Sequence, residues 1–180
     1  MHLTSLDLTN AALLEKVQAI YDEAIPPQER WSFAQFLTLA QKQPRFTAHL
    51  IWVDAHIAGV ASYWRFEEPC AFGFIECIAI DRTLRGKSLG TQTMQTLLAH
   101  LAVPVVLEVE PPQTEQAIQR IRFYERLGFT IWDRTYIQPA YASTLPEVPM
   151  FLMVNAPLEA SLCKPIAQVI RREVYEAHRE

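Results

Sequence analysis

Two stretches of this 180-residue sequence carry residue types that could do chemistry. The first is Arg82-Thr83-Leu84-Arg85-Gly86-Lys87-Ser88-Leu89-Gly90, where two of only five glycines fall four residues apart, at a predicted strand-to-helix junction. Amides at the start of a helix have no intrahelical acceptor and together carry roughly half a positive charge, and glycine lets a ligand approach the backbone closely. Arg82, Arg85 and Lys87 add cations with no acid among them, in a chain of formal charge −4. That combination predicts an anion site, with pyrophosphate its natural guest; an ordinary turn with a solvated basic face is the alternative. The run is not a nucleotide P-loop, whose first glycine would have to stand where Asp81 does, nor a dinucleotide fingerprint, which needs a third glycine and a parallel βαβ context.

The second stretch holds Glu76. In the alternating row Phe72, Phe74, Glu76, Ile78, Ile80 a carboxylate takes a position where a sheet normally buries a hydrophobe. Desolvation there raises a carboxyl pKa and suits it to general-base work, whereas a salt-bridged structural glutamate is the plainer reading. Cys77 lies among apolar neighbours with no histidine nearby in sequence, the setting of an inert thiol. Cys70, Cys77 and Cys163 are odd in number, and His2, His49, His56, His100 and His178 lack ligand spacing, so no metal is expected.

These residues need elements to position them. Asn10 caps a predicted helix carrying Leu13, Val17, Ile20 and Tyr21, and Pro26-Pro27 ends it. Ser32 and Gln35 form a capping-box pair before a second helix with Phe33 and Phe36, ended by Pro44. Strands follow at 48–53, 57–66, where Gly59 marks a bulge, and about 72–80. A helix with Met94, Leu97, Leu98 and Leu101 comes next, then a strand at 105–110 and a helix at about 114–127 closed by Gly128. Strands at 129–138 and 148–154 flank an irregular loop, and Leu162, Ile166, Val169, Ile170 and Val174 have α-helical spacing, with Pro165 fixing the true start of that helix. With 50% hydrophobic residues, no membrane-length apolar run and a mildly acidic sum, the expectation is a soluble cytoplasmic protein that binds neither nucleic acid nor membrane.

Ile78-Ala79-Ile80-Asp81, Arg85-Gly86-Lys87-Ser88-Leu89-Gly90 and Phe123-Tyr124-Glu125-Arg126-Leu127-Gly128-Phe129, in this order, resemble the GNAT superfamily of acyl-CoA-dependent N-acetyltransferases. The middle block is similar to that family's pyrophosphate loop and the last to its F-Y-x-x-x-G-F segment. Ser88 replaces a family glycine, and Ala117 stands where an asparagine is frequent. The change at Ser88 is tolerable if that residue has negative φ, since a left-handed conformation would cost a non-glycine residue roughly 1–2 kcal/mol.

The resemblance implies an α+β fold: a single-domain αβα sandwich over residues 1–157, with a mixed, mostly antiparallel sheet of six or seven strands splayed at a cofactor cleft. Residues 158–180 form a C-terminal helix on or beyond that domain. It implies acetyl-CoA as cofactor, a primary amine of a small molecule or peptide as acceptor, and direct attack in a ternary complex; a non-catalytic acyl-CoA sensor or interaction domain is the alternative. The backbone of Ile78, Ala79 and Ile80 would pair with the pantetheine arm, Arg85, Gly86, Lys87, Ser88, Leu89 and Gly90 would hold the pyrophosphate, and Arg126 would reach another phosphate. An alkylamine is only about 1 part in 2,500 neutral at pH 7, a deficit of ~4–5 kcal/mol, so a base is needed. Glu76 is the first choice, and Glu108 and Glu110, sharing a strand face with Val106, compete. Tyr124 matches the tyrosine that protonates the departing thiolate. Glu29, Trp31, Tyr63, Glu108, Glu110 and Tyr136 are candidates for the acceptor pocket. The family also admits a homodimer.

Overall fold

The computed structural model describes residues 1–179. The strands are β1 (His2–Ser5), β2 (Phe46–Val53), β3 (His56–Phe66), β4 (Phe72–Ile80), β5 (Val105–Val109), β6 (Thr130–Asp133), β7 (Ile137–Gln138), β8 (Val148–Pro149) and β9 (Phe151–Val154). The helices are α1 (Ala11–Ala24), α2 (Phe33–Lys42), α3 (Leu89–Leu101), α4 (Glu115–Glu125) and α5 (Cys163–Val169), which runs into a π-helical segment, Ile170–Glu176. This is an α+β fold on a seven-stranded mixed sheet of order β1-β2-β3-β4-β5-β9-β6, with β7 and β8 as a separate pair. Among the described residues no helix is long and apolar enough to cross a membrane.

Two compact units divide the chain: residues 1–64 with 76–100, and residues 65–75 with 101–180. In the first, Asn10 accepts from the Leu13 amide at 3.1 Å and Ser32 from that of Gln35 at 3.2 Å, so both predicted caps form. Their helices bury Val17, Ile20, Tyr21, Phe33, Phe36 and Leu39. An aromatic chain continues from Tyr21 to Phe36 (4.9 Å), Phe46 (5.5 Å) and Trp64 (5.1 Å), ring centre to ring centre. The β2–β3 register slips where Ile51 faces Gly59 but Trp52 faces Ile57, leaving Ala58 as the extra residue of the predicted bulge. Gly59 is required there, since a Cβ would collide with the Ala79 carbonyl oxygen.

In the second unit β4 runs parallel to β5 over Gly73↔Val105, Phe74↔Val106 and Ile75↔Leu107, and β9 lies antiparallel between β5 and β6. Gly128 (φ 87°) closes α4 as expected, with the Phe129 amide donating back to the Tyr124 carbonyl at 3.1 Å.

Three expectations need correction. Strand β1 was not foreseen: its four residues lack an alternating pattern and are ordered by pairing along β2. The strands expected at 129–138 and 148–154 are each divided, the first because Asp133 accepts from both the amide and the hydroxyl of Thr135, at 2.7 and 2.8 Å, turning the chain. The C-terminal helix widens into π geometry, which buries the adjacent Val174 and Tyr175 together with Ile170.

Candidate active site

Each unit carries part of the predicted chemistry. In the first, Asp81 accepts from the Thr83 amide (2.9 Å) and hydroxyl (2.7 Å), starting a 3-10 turn over Arg82–Leu84 that ends β4. Gly86 then takes φ 78° with open space where a Cβ would lie, and the exposed Ser88 takes φ 60° before α3 begins at Leu89. The negative φ that would make a serine at 88 tolerable is therefore not adopted: the chain enters α3 through a left-handed residue, at a strain of roughly 1–2 kcal/mol. The Ser88 carbonyl accepts from the Gln92 amide at 3.0 Å, so the first amides of α3 are left for other acceptors. Arg82 and Lys87 are exposed beside them. Arg85 instead turns toward α1, its guanidinium pairing with Glu23 and donating from Nε to the Ile80 carbonyl at 3.0 Å. An exposed loop with left-handed backbone, unclaimed helix-start amides and two cations fits a diphosphate.

Glu76 projects half-buried from β4, with one carboxylate oxygen accepting from Ser62 Oγ and from the Trp64 indole N–H, both at 3.3 Å. Both donors come from β3, two residues apart and hence on one face. Tyr21 lies close: burial pushes its phenol well above the usual range, and the charges of Cys77 and Glu76 push it further, opposed by Arg30 and by a hydrogen bond from the Trp31 backbone. Burial lifts the Cys77 thiol to about 12, so it is no nucleophile. Ile78 is half-buried beyond Glu76, and Ala79 is fully buried. Tyr63 falls on the other face of β3, against His49 (5.8 Å) and His100 (6.2 Å), so the structure does not bring it to Glu76. Trp31 is buried and Glu29 half-buried at the end of the turn Pro27–Glu29.

In the second unit Tyr124 is half-buried near the end of α4, its ring edge-on to Phe123 (5.2 Å) and Phe129 (5.8 Å). Arg126 is exposed. Glu110 pairs with Arg120 of α4 at 2.6 Å. Glu108, half-buried on β5, accepts from the Tyr175 hydroxyl at 2.7 Å. Tyr136 is buried beside the same carboxylate: desolvation first, then the charge of Glu108, pushes its phenol up, and Tyr175 is pushed up by the same causes. Two predicted pocket residues, Glu108 and Tyr136, thus come together.

Sequence reasoning missed Ser62, Trp64 and Tyr21 around Glu76, and Tyr175 against Glu108. The first two were detectable, because a period of two places residues 62 and 64 on one strand face. Tyr175 left no comparable signal, since it abuts the apolar helical stripe one residue out of α-helical step.

Residues 11–129 match the model of the acetyltransferase (GNAT) family. A GNAT-family protein from Bacteroides thetaiotaomicron is 30% identical, with 97% of this chain and 98% of that one superposed at a TM-score of 0.88. An aminoglycoside 6'-N-acetyltransferase complexed with coenzyme A (16% identity, 88% and 99% covered, TM-score 0.61) shares the fold. So does the ribosomal-protein-S18-alanine N-acetyltransferase from Escherichia coli (20%, 85% and 91%, TM-score 0.60). No curated protein matches the chain.

Proposed function

Because the chain belongs to the GNAT acetyltransferase family, whose cofactor is acetyl-CoA, we propose that it transfers an acetyl group to a primary amine of a small molecule or peptide by direct attack in a ternary complex. The cofactor supplies the thioester acyl group and a thiolate leaving group. Residues 85–90 hold the pyrophosphate through the amides at the start of α3, with Lys87 alongside; Arg85 contributes its backbone, while its side chain ties the loop to Glu23. The backbone of Ile78, Ala79 and Ile80 receives the pantetheine arm, and Arg126 a further phosphate. Glu76 accepts the amine proton, directly or through one water, and Tyr124 gives its phenolic proton to sulfur. Glu29, Trp31, Glu108, Glu110 and Tyr136 form the pool from which the acceptor pocket draws, with buried members acting as walls; Tyr63, on the other face of β3, is left out.

The observation that carries this reading is the carboxylate of Glu76, oriented by two donors on an otherwise apolar strand face. The test is acetyl-CoA binding by calorimetry, followed by CoA release with a panel of amines. Binding with turnover that falls in Glu76→Gln and Tyr124→Phe supports the assignment; turnover indifferent to both substitutions removes these residues from the chemistry. One observation favours the second reading, a non-catalytic acyl-CoA sensor or interaction domain: Ser88 holds a strained conformation where the family has glycine. Binding without transfer to any amine would establish it.

A further inference from the structure

Tyr175 sits in the part of the chain beyond residue 129, where the family match ends. Its side chain is fully buried, its hydroxyl donates to Glu108 at 2.7 Å, and its ring packs edge-on to Tyr141 at 4.9 Å. Tyr136, also buried, lies beside the same carboxylate. Glu108 itself is only half-buried, although its Oε1 is shielded from solvent, so the cluster sets a carboxylate against a buried phenolic back. A core built for stability alone has little use for this arrangement, because apolar residues of similar volume usually serve as well or better. The helix also abandons α geometry here. The Ala177 amide donates to the Arg172 carbonyl, five residues back, and Tyr175 lies within that widened turn. Such π segments are frequent at functional sites.

We propose that Tyr175 is a positioning residue that holds Glu108 to receive the ammonium group of the acceptor, making the C-terminal helix part of the acceptor site. A carboxylate offers only acceptors to its ligand, and a phenol donating from behind, that of Tyr175, fixes its direction while leaving its charge intact. The ligand class is therefore a positively charged aliphatic amine rather than an arylamine or a neutral alcohol. This inference rests on the acetyltransferase reading, which places an amine in the vicinity of β5.

The test titrates the CoA-loaded protein with alkylamines from propylamine to spermidine, and measures KM and kcat for those that are acetylated. Tyr175→Phe keeps the ring and its packing against Tyr141 and removes only the hydroxyl. It is expected to weaken amine binding and raise the amine KM roughly tenfold, with a much smaller change in kcat, the scale of losing one hydrogen bond to a charged group. Glu108→Gln is expected to lose more, and Arg172→Ala, on the exposed side of the same helix, to lose nothing. Unchanged thermal midpoints separate positioning from folding. Amine affinity equal in the wild type, Glu108→Gln and Tyr175→Phe overturns the proposal, as does absence of amine binding in a protein that binds CoA. Failure of the wild type to bind CoA overturns the acetyltransferase reading instead.

Discussion

Glu76 and Glu108 are two strand carboxylates, one in each compact unit, and each is oriented by donors from its own unit. Glu76 is held by the strand that adjoins its own, through Ser62 and Trp64, 14 and 12 residues away in sequence. Glu108 is held by a helical tyrosine 67 residues away. The first arrangement is encoded by strand alternation and draws on no residue of the C-terminal segment. The second exists only once the C-terminal segment has docked on its unit, so its geometry depends on packing rather than on local pattern.

The sharpest way to break this comparison is to neutralise each acid. Glu76→Gln is expected to lower kcat by roughly 10²–10⁴-fold with little change in CoA affinity, the usual range for losing a general base. Glu108→Gln should act mainly on the amine KM; a larger kcat loss there would transfer the base to β5. Next comes the backbone of the two units. Gly59→Ala sets a methyl against the Ala79 carbonyl oxygen, which cannot yield, and is expected to destabilise by about 3 kcal/mol. Gly73→Ala meets only the end of the Leu101 side chain at 2.9 Å and should cost about 1 kcal/mol, both read from urea midpoints. Ser88→Gly relieves a left-handed serine at the expense of chain entropy, for a net gain of about 0.5–1 kcal/mol in the same assay.

The smallest effect is on pH. Burial holds His49 in one unit and His178 in the other below the ordinary 6.5, against raising contributions from the Thr4 backbone and from Glu173 respectively. The unfolded chain therefore takes up these protons first as pH falls. Their stabilisation is full above 6.5 and is lost below it. Urea midpoints should fall between pH 7 and pH 5, and less so in His49→Gln and His178→Gln.

Much of the fold was legible because its signals are local. The caps at Asn10, Ser32 and Gly128, the bulge at Gly59 and the loop from Asp81 to Gly90 each follow from residues within a few positions of one another. What escaped was decided at a distance. Strand β1 exists because β2 offers it an edge; the break at Asp133 is the local exception, a side chain two residues from Thr135 outcompeting a ladder. The π turn brings Tyr175, five residues beyond Ile170, to the buried side, a step that α-helical periodicity does not anticipate. The same holds at the candidate site: Glu76 stood out as a charge in an apolar row, while nothing near residue 108 announced Tyr175.

The ion pair between Arg85 and Glu23 has a practical consequence. Both side chains are close to half exposed, at 46% and 40%, so dissolved ions screen their attraction readily. Salt thus acts twice on diphosphate capture, by shielding the ligand from Lys87 and by slackening the tether that moors the loop to α1. Affinity for the carrier should accordingly decline more steeply with ionic strength than one lysine would explain, and charge-neutral Glu23→Gln should flatten that slope.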